Sequence, residues 1–276
     1  MPSFRLVGPV PPESPVILSV PHAGRDYPAA LMAALRPPPA ALRTLEDRHV
    51  DAVALAARGR ETALMQDVPR AWIDLNRAED ERDPLLDEGA RAAPLSAKVR
   101  AGLGLVPRRT SAAGELWYGR LSAAEVAERI ADAHRPYHDA LARVLAATRA
   151  RFGVAVLVDV HSMPPIAGSR ARIVIGDRFG RSAAVRYVAR VAGAIGATSI
   201  PYAVNTPYAG GHILDRHGDP AGDVHAIQIE IDRSLYLDRR LDAPSVDLPA
   251  VATLLRAVVD ALTDEALGTG LAQAAE

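Results

Sequence analysis

Apolar runs of strand length alternate with stretches of helical periodicity along most of the chain. Pro15–Pro21 reads as a first buried strand, Thr62–Met65 as a second and Ala71–Leu75 as a third. The strongest run is Val154–Val160, broken only by Asp159; Ala171–Ile175 and Ala226–Ile231 complete the set. Continuous apolar strands separated by helix-length segments predict an α/β protein whose sheet is covered on both faces. Helices are predicted at 44–59, 121–151, 179–195 and 246–267. The second opens with Ser122-Ala-Ala-Glu125, a capping box in which the two side chains satisfy each other's orphan backbone donors. Pro136 lies inside it and predicts a kink or break. The fourth carries Val251, Leu254, Leu255, Val258 and Leu262 at helical spacing, a core-facing stripe.

Two polar, Gly- and Pro-containing stretches, 78–116 and 203–224, lack sustained periodicity and read as long loops, a feature often tied to function. No internal repeat and no dividing linker is visible, so residues 1–276 are expected to form one domain.

Composition narrows the chemistry. The 276 residues include 32 basic and 33 acidic side chains, for a net charge of −1, and 49% are hydrophobic. That is the balance of a globular protein and argues against a nucleic-acid binder, which would show a basic excess. No stretch approaches a membrane span, and the N-terminal residues lack the pattern of a signal peptide, so a soluble cytoplasmic protein is expected. With no cysteine, thiol nucleophiles and thiolate metal sites are excluded; a bound metal would need His, Asp or Glu ligands.

The candidate residues cluster at strand ends. His22 follows the first strand, and His161 follows the strongest one. Ligands of open α/β sheets bind outside the carboxyl ends of strands, so two imidazoles placed there are candidate ligands of one metal. Asp159 precedes His161 by two residues and faces the same side of the strand, where it can accept the second ring N–H and fix the tautomer. Glu46, Asp47 and Asp51 all lie near a predicted helix start; any of them could complete the ligand set, and all have an ordinary role there as dipole-complementing carboxylates. Glu230 alternates with Ile229 and Ile231 in a strand that otherwise reads as buried; it is either part of a polar strand face or a carboxylate held for proton transfer. Asn76 and Arg77 end the third predicted strand, where Arg77 offers a guanidinium fork for a carboxylate. The loop Asn205–His212 contains Gly210-Gly211, which permits close approach of backbone to a ligand or a tight turn. No G-x-S-x-G elbow, Walker loop, G-x-G-x-x-G after a strand or H-E-x-x-H is present.

The ordered set Val20-Pro-His-Ala-Gly24, Glu46-Asp-Arg-His49, Ile73-Asp-Leu-Asn-Arg77, Arg135-Pro-Tyr-His138, Asp159-Val-His-Ser162, Asn205–His212, Gly218-Asp-Pro220 and Gln228-Ile-Glu-Ile231 resembles the N-formylglutamate amidohydrolase family. The resemblance runs in order from about residue 16 to 237. It implies a mixed central sheet flanked by helices, of the phosphorylase/hydrolase-like, zinc carboxypeptidase type. It also implies one Zn²⁺ held by His22, His161 and a carboxylate, with Asp47 the better match and Glu46 the alternative. Glu230 matches the catalytic glutamate, while Asn76 and Arg77 match a pair that binds a substrate carboxylate. Asn205, Gly211 and His212 are further substrate-binding candidates. Carboxypeptidases proper place a glutamate three residues after the first histidine; here that residue is Arg25.

The expected reaction is therefore hydrolysis of an N-acyl amino acid, N-formyl-L-glutamate first, in amino-acid degradation such as that of histidine. The expected partner is a small acidic substrate, with no nucleic acid and no membrane. A peptidoglycan amidase or carboxypeptidase-like hydrolase and a metal-binding protein without activity are the rival expectations.

Overall fold

The computed structural model describes residues 3–91 and 94–273, with side chains through 268. In chain order the elements are β1 Phe4–Val7, β2 Val16–Val20, α1 Ala29–Ala34, α2 Val50–Ala57, β3 Thr62–Gln66, α3 Ala97–Arg100, β4 Arg109–Thr110, β5 Gly114–Glu115 and α4 Ala123–Arg129. A π-helical turn, Ile130–His134, leads into α5 Arg135–Phe152; β6 Ala155–Met163, β7 Ile173–Gly176, α6 Val185–Gly196, β8 Tyr202–Val204, α7 His212–His217, β9 Val224–Asp232 and α8 Leu248–Gln273 follow.

Seven strands form one sheet in the order β1-β3-β2-β6-β9-β7-β8. β2 runs parallel to both β3 and β6, β6 runs parallel to β9, and β7 is antiparallel to β9. The sheet is mixed, as the family resemblance implies. All residues of β2 and β6 are buried. Because successive side chains point to opposite faces, complete burial means that both faces are covered.

The chain divides into two compact units that interleave in sequence. The first comprises the residues up to Arg5, Pro21–Glu46 and Gln66–Asp139; the second comprises Leu6–Val20, Asp47–Met65 and Ala140 onward. The sheet belongs to the second unit except for Phe4, Arg5 and Gln66. There α8 packs against α2 and α6 with Val251, Leu254, Leu255, Val258 and Leu262 buried, the predicted stripe. Within the second unit, order reverses at β2: the chain leaves it for β3 on one side and returns as β6 on the other. Such a reversal opens a crevice at the carboxyl ends of the two strands.

The first unit is mostly irregular, with short helices and the β4–β5 hairpin. Its core holds Leu31, Leu42, Ile73, Leu75, Leu105, Leu116, Val126 and Tyr137. The capping box forms as predicted: Ser122 Oγ accepts from the Glu125 N–H, and the Glu125 carboxylate accepts from the Ser122 N–H.

Three expectations are corrected. Ala71–Leu75 is not a strand but a buried run of turns. Its alternating apolar residues are buried, yet several of its backbone groups bond outside any ladder: the Asp74 N–H donates to the Leu105 carbonyl at 2.8 Å, and the Leu75 carbonyl accepts from His138. The helix predicted from residue 44 begins at Val50; a 3₁₀ segment ends at Thr44, and residues 46–49 form a turn closed by His49 at φ 57°. Likewise the helix predicted from residue 179 begins at Val185, because Arg178 and Phe179 take left-handed backbone at φ 54° and 57°. The interruption expected at Pro136 is a π turn, Ile130–His134, immediately before it, which separates α4 from α5.

Candidate active site

In the second unit the site residues lie in register across the sheet. Ser19 pairs with Asp159, Asp159 with Gln228, and His161 with Glu230. Side chains level with one another on neighbouring strands share a face, so these five form two adjacent rows on one side of the sheet. The polar rows are bonded to each other. Ser19 Oγ donates to Asp159 Oδ1 at 2.7 Å, and Gln228 Nε2 donates to Glu230 Oε1 at 3.0 Å. Asp159 Oδ2 lies 2.8 Å from His161 Nε2, as the two-residue spacing predicts.

The other ring nitrogen, His161 Nδ1, lies 3.0 Å from Asp47 Oδ2. Asp47 is placed by the turn that precedes α2, where its carbonyl accepts from the Val50 N–H. Its second carboxylate oxygen accepts from Arg233 Nη2 at 3.2 Å, and Arg233 Nε donates to Ser162 Oγ at 3.0 Å. Burial disfavours a charged His161, but Asp159 and Asp47 outweigh it and raise the imidazole well above its usual range. The two carboxylates thus favour a positive charge at this buried ring; a divalent cation held by Nδ1 and Asp47 would supply positive charge there in place of that proton.

The first unit builds a matching arrangement around His22. Its Nε2 lies 2.7 Å from Asp74 Oδ1, so ligation by His22 would use Nδ1, the same nitrogen as in His161. Both rings have a carboxylate on Nε2, the pattern that orients metal-bound histidines. Burial alone would push the Asp74 carboxyl up, but Arg70, His22 and Arg77 hold it well below the usual range. Gly24, two residues beyond His22, is required by close approach: a Cβ there would lie 2.1 Å from the Val68 carbonyl oxygen. Glu46 is the acceptor for the Tyr27 hydroxyl.

Arg77 is buried, and its fork is partly committed. Nε donates to the Leu103 carbonyl at 3.0 Å and Nη1 to the Asn76 carbonyl at 2.8 Å; Nη2 has no hydrogen bond among the described residues. A carboxylate it holds would meet Nη2 and the second hydrogen of Nη1, since Nε is committed to Leu103. The Asn76 N–H is fixed on Asp74 Oδ1 at 2.8 Å.

In the loop of the second unit, Asn205 takes left-handed backbone at φ 60° and uses its side chain on the loop itself, accepting from the Asp177 N–H at 3.0 Å and donating to Asp177 Oδ1 at 2.6 Å. Gly211 caps α7, and His212 is its first residue. The loop lies against the sheet beside Gln228: Gly176 pairs with Gln228, and a Cβ on Gly176 would meet the Ala209 carbonyl carbon at 2.8 Å.

Sequence reasoning missed Ser19, Asp74, Arg233 and Tyr27 as partners of the site. Ser19 could have been found from strand periodicity once β2 and β6 were paired. Arg233 lies only three residues beyond Glu230, but nothing in the sequence points it at Asp47.

Comparison with known proteins identifies the family. The N-formylglutamate amidohydrolase family model matches residues 14–237. An N-formylglutamate deformylase of Pseudomonas aeruginosa is 30% identical over 93% of this chain and 94% of its own length, and one of Pseudomonas putida is 29% identical over 81% and 82%. The crystal structure of an N-formylglutamate amidohydrolase from Ralstonia eutropha superposes with a TM-score of 0.85 at 32% identity, covering 96% of this chain and 98% of that one. An Agrobacterium tumefaciens protein, 19% identical with a TM-score of 0.69 over 98% of this chain and 96% of its own, shares the fold. The chain belongs to the N-formylglutamate amidohydrolase family.

Proposed function

We propose that this chain hydrolyses the amide bond of N-formyl-L-glutamate to formate and L-glutamate, and that it does so with a bound zinc ion. The observation that carries the reading is His161, oriented by Asp159 through Nε2 with Nδ1 facing Asp47, and level with Glu230 on the neighbouring strand. His22, Asp47 and His161 would hold the ion. Zinc supplies Lewis acidity to water and to the amide carbonyl.

The protein's own groups do the rest. Glu230 takes a proton from the attacking water and returns it to the leaving nitrogen; the hydrogen bond from Gln228 sets which oxygen does so. Asp159 and Asp74 fix the two imidazoles. Arg77, through Nη2 and Nη1, and Asn76 receive a substrate carboxylate. Asn205, Gly211 and His212 belong to the loop that shapes the substrate side, with Asn205 acting through the loop's conformation. The proposal includes a cytoplasmic setting in amino-acid degradation, histidine's among others, as the family resemblance implies. Among the described residues no helix is long and apolar enough to cross a membrane.

The test is formate release. Purified protein given N-formyl-L-glutamate should release formate stoichiometrically with glutamate and should contain about one zinc per chain by elemental analysis. No formate above the uncatalysed background, with zinc present, removes the reading. Arg77→Ala should raise KM by about 10- to 100-fold, the loss of its charge-assisted hydrogen bonding, with little change in kcat; an unchanged KM contradicts the anchoring role.

A further inference from the structure

Three carbonyls of the irregular Trp72–Arg77 segment accept hydrogen bonds from side chains of one continuous helical stretch. Arg129 Nη1 donates to the Trp72 carbonyl at 3.2 Å, His138 Nε2 to that of Leu75 at 2.9 Å and His134 Nε2 to that of Arg77 at 2.8 Å. A carbonyl only accepts, so both histidines carry their proton on Nε2. Both are completely buried, and Arg129 is 3% exposed with its guanidinium 3.9 Å over the Trp72 ring. Burying three polar side chains is costly unless each is bonded, so their contacts with this one segment are structural commitments.

Regular helix geometry does not align these residues. Arg129 and His134 are five apart, which separates them by about 140° around an α-helix. Between them the backbone forms the π turn, with the Arg135 N–H bonded to the Ile130 carbonyl, and an i→i+5 turn brings positions five apart towards one face. His138 follows His134 by four and stays on that face. Pro136 favours the arrangement: it has no N–H for the Asp132 carbonyl, which accepts from Ser3 Oγ at 3.2 Å instead.

We propose that the π turn exists to align Arg129, His134 and His138 as a clamp on this segment, and that the three are positioning residues for Asn76 and Arg77. The inference rests on the reading above that Asn76 and Arg77 receive the substrate carboxylate. The clamp fixes where the Arg77 guanidinium starts, while Leu103 and Asn76 carbonyls fix where it points.

The experiment compares His134→Leu and His138→Leu with His134→Gln and His138→Gln, since a glutamine amide keeps a donor near the Nε2 position. Each is assayed for KM and kcat with N-formyl-L-glutamate and for hydrogen exchange of the Asn76, Arg77 and Ala78 amides, which are bonded in the native segment. The leucine variants should raise KM roughly tenfold, as expected for one lost buried hydrogen bond and a displaced anchor, with kcat within about threefold; glutamine should restore most of KM. Exchange of the three amides should rise in the leucine variants and return in the glutamine ones. Should a leucine variant fail to fold, asparagine, whose amide stops short of the Nε2 position, takes its place as the disrupting change. Folded disrupting variants with unchanged KM and exchange overturn the clamp, as does a fall in kcat at constant KM. Wild-type protein that releases no formate defeats the functional reading instead, and the exchange arm then decides the clamp alone.

Discussion

His161 lies near the end of a nine-residue strand whose every side chain is buried; His22 lies two residues past a strand, in a stretch without regular structure. In both, Nε2 is held by an aspartate, at 2.8 Å by Asp159 and 2.7 Å by Asp74. The scaffolds differ. Asp159 and His161 are aligned by the period of the strand itself, and the neighbouring strands deliver Ser19 and Glu230 by register. Asp74 is aligned by side chains from elsewhere in its unit: Arg70 at 2.8 Å, and the helix that grips the carbonyls on either side. Where a sheet positions a group, backbone bonds do the work. Where a loop positions it, buried polar side chains must, and each becomes a point of failure.

The largest expected effect falls on the strand-borne side. Glu230→Gln should lower kcat by about 10²–10⁴-fold, the usual contribution of general acid–base transfer, while zinc content stays at the wild-type level. Turnover near wild type would take Glu230 out of the reaction. Retained turnover after His161→Ala, with no zinc bound, would remove the proposed ion as well.

A sharper comparison uses the two aspartates. Asp159→Asn and Asp74→Asn each keep a similar shape but weaken the partner on Nε2, and loss of such a partner typically costs 10–100-fold in metal affinity. The strand-borne change should sit near the lower end, since register keeps the His161 backbone in place. Asp74→Asn should cost more, because Asp74 also bonds the Asn76 N–H and pairs with Arg70 and Arg77. Zinc affinity measured by competition with a chelator decides this; equal losses would mean that both aspartates act on the ring alone.

The same contrast explains what could be read from the chain. β2, β3, β6, β7 and β9 are legible because their apolar runs are continuous, and the facing of Asp159 with His161 follows from a two-residue period. Ser122 and Glu125 announce their helix start for an equally local reason. Ala71–Leu75 misleads because alternation of Ala71, Ile73 and Leu75 looks the same whether the carbonyls bond a neighbouring strand or a distant histidine. Glu46 and Asp47 mislead similarly: carboxylates before an apolar stretch suggest a first helical turn, but His49 takes left-handed backbone and delays the helix to Val50. Asp74 as the partner of His22, and Arg233 as the partner of Asp47, depend on contacts 52 and 186 residues apart, which no local pattern encodes.

Acid provides a test confined to the second unit. Burial, chiefly, and the nearby Arg216 and His212 depress His217 from 6.5 to about 4. A depressed imidazole stays neutral in the fold while the unfolded chain takes up a proton. Its contribution to stability is therefore intact above pH 6.5 and is lost as pH falls from 6.5 towards 4. His225, whose Nδ1 accepts from the Ala184 N–H at 3.3 Å, is depressed to about 4 for the same main reason and acts in the same direction. His161 has the opposite sign: raised in the fold, it stabilises the metal-free chain below pH 6.5 and loses that contribution as pH rises through its elevated value. Urea unfolding of the metal-free protein at pH 7 and pH 5 should show His217→Phe losing ~2 kcal/mol less than wild type over that interval. Parallel losses in the two proteins would mean that His217 titrates normally in the fold.

The smallest effect concerns Ser19. Its hydroxyl satisfies Asp159 Oδ1 at 2.7 Å in a fully buried setting, so it acts on His161 through the aspartate. Ser19→Ala removes one hydrogen bond worth about 1 kcal/mol to the fold, with an alanine that leaves β2 otherwise intact. If the strand holds Asp159 in place by backbone register, zinc affinity should fall no more than about fivefold and kcat should stay within a factor of two. A loss as large as that of Asp159→Asn would show that the hydroxyl, not the sheet, aims the carboxylate, and the strand-borne half of the site would then depend on side-chain bonding as heavily as the loop-borne half does.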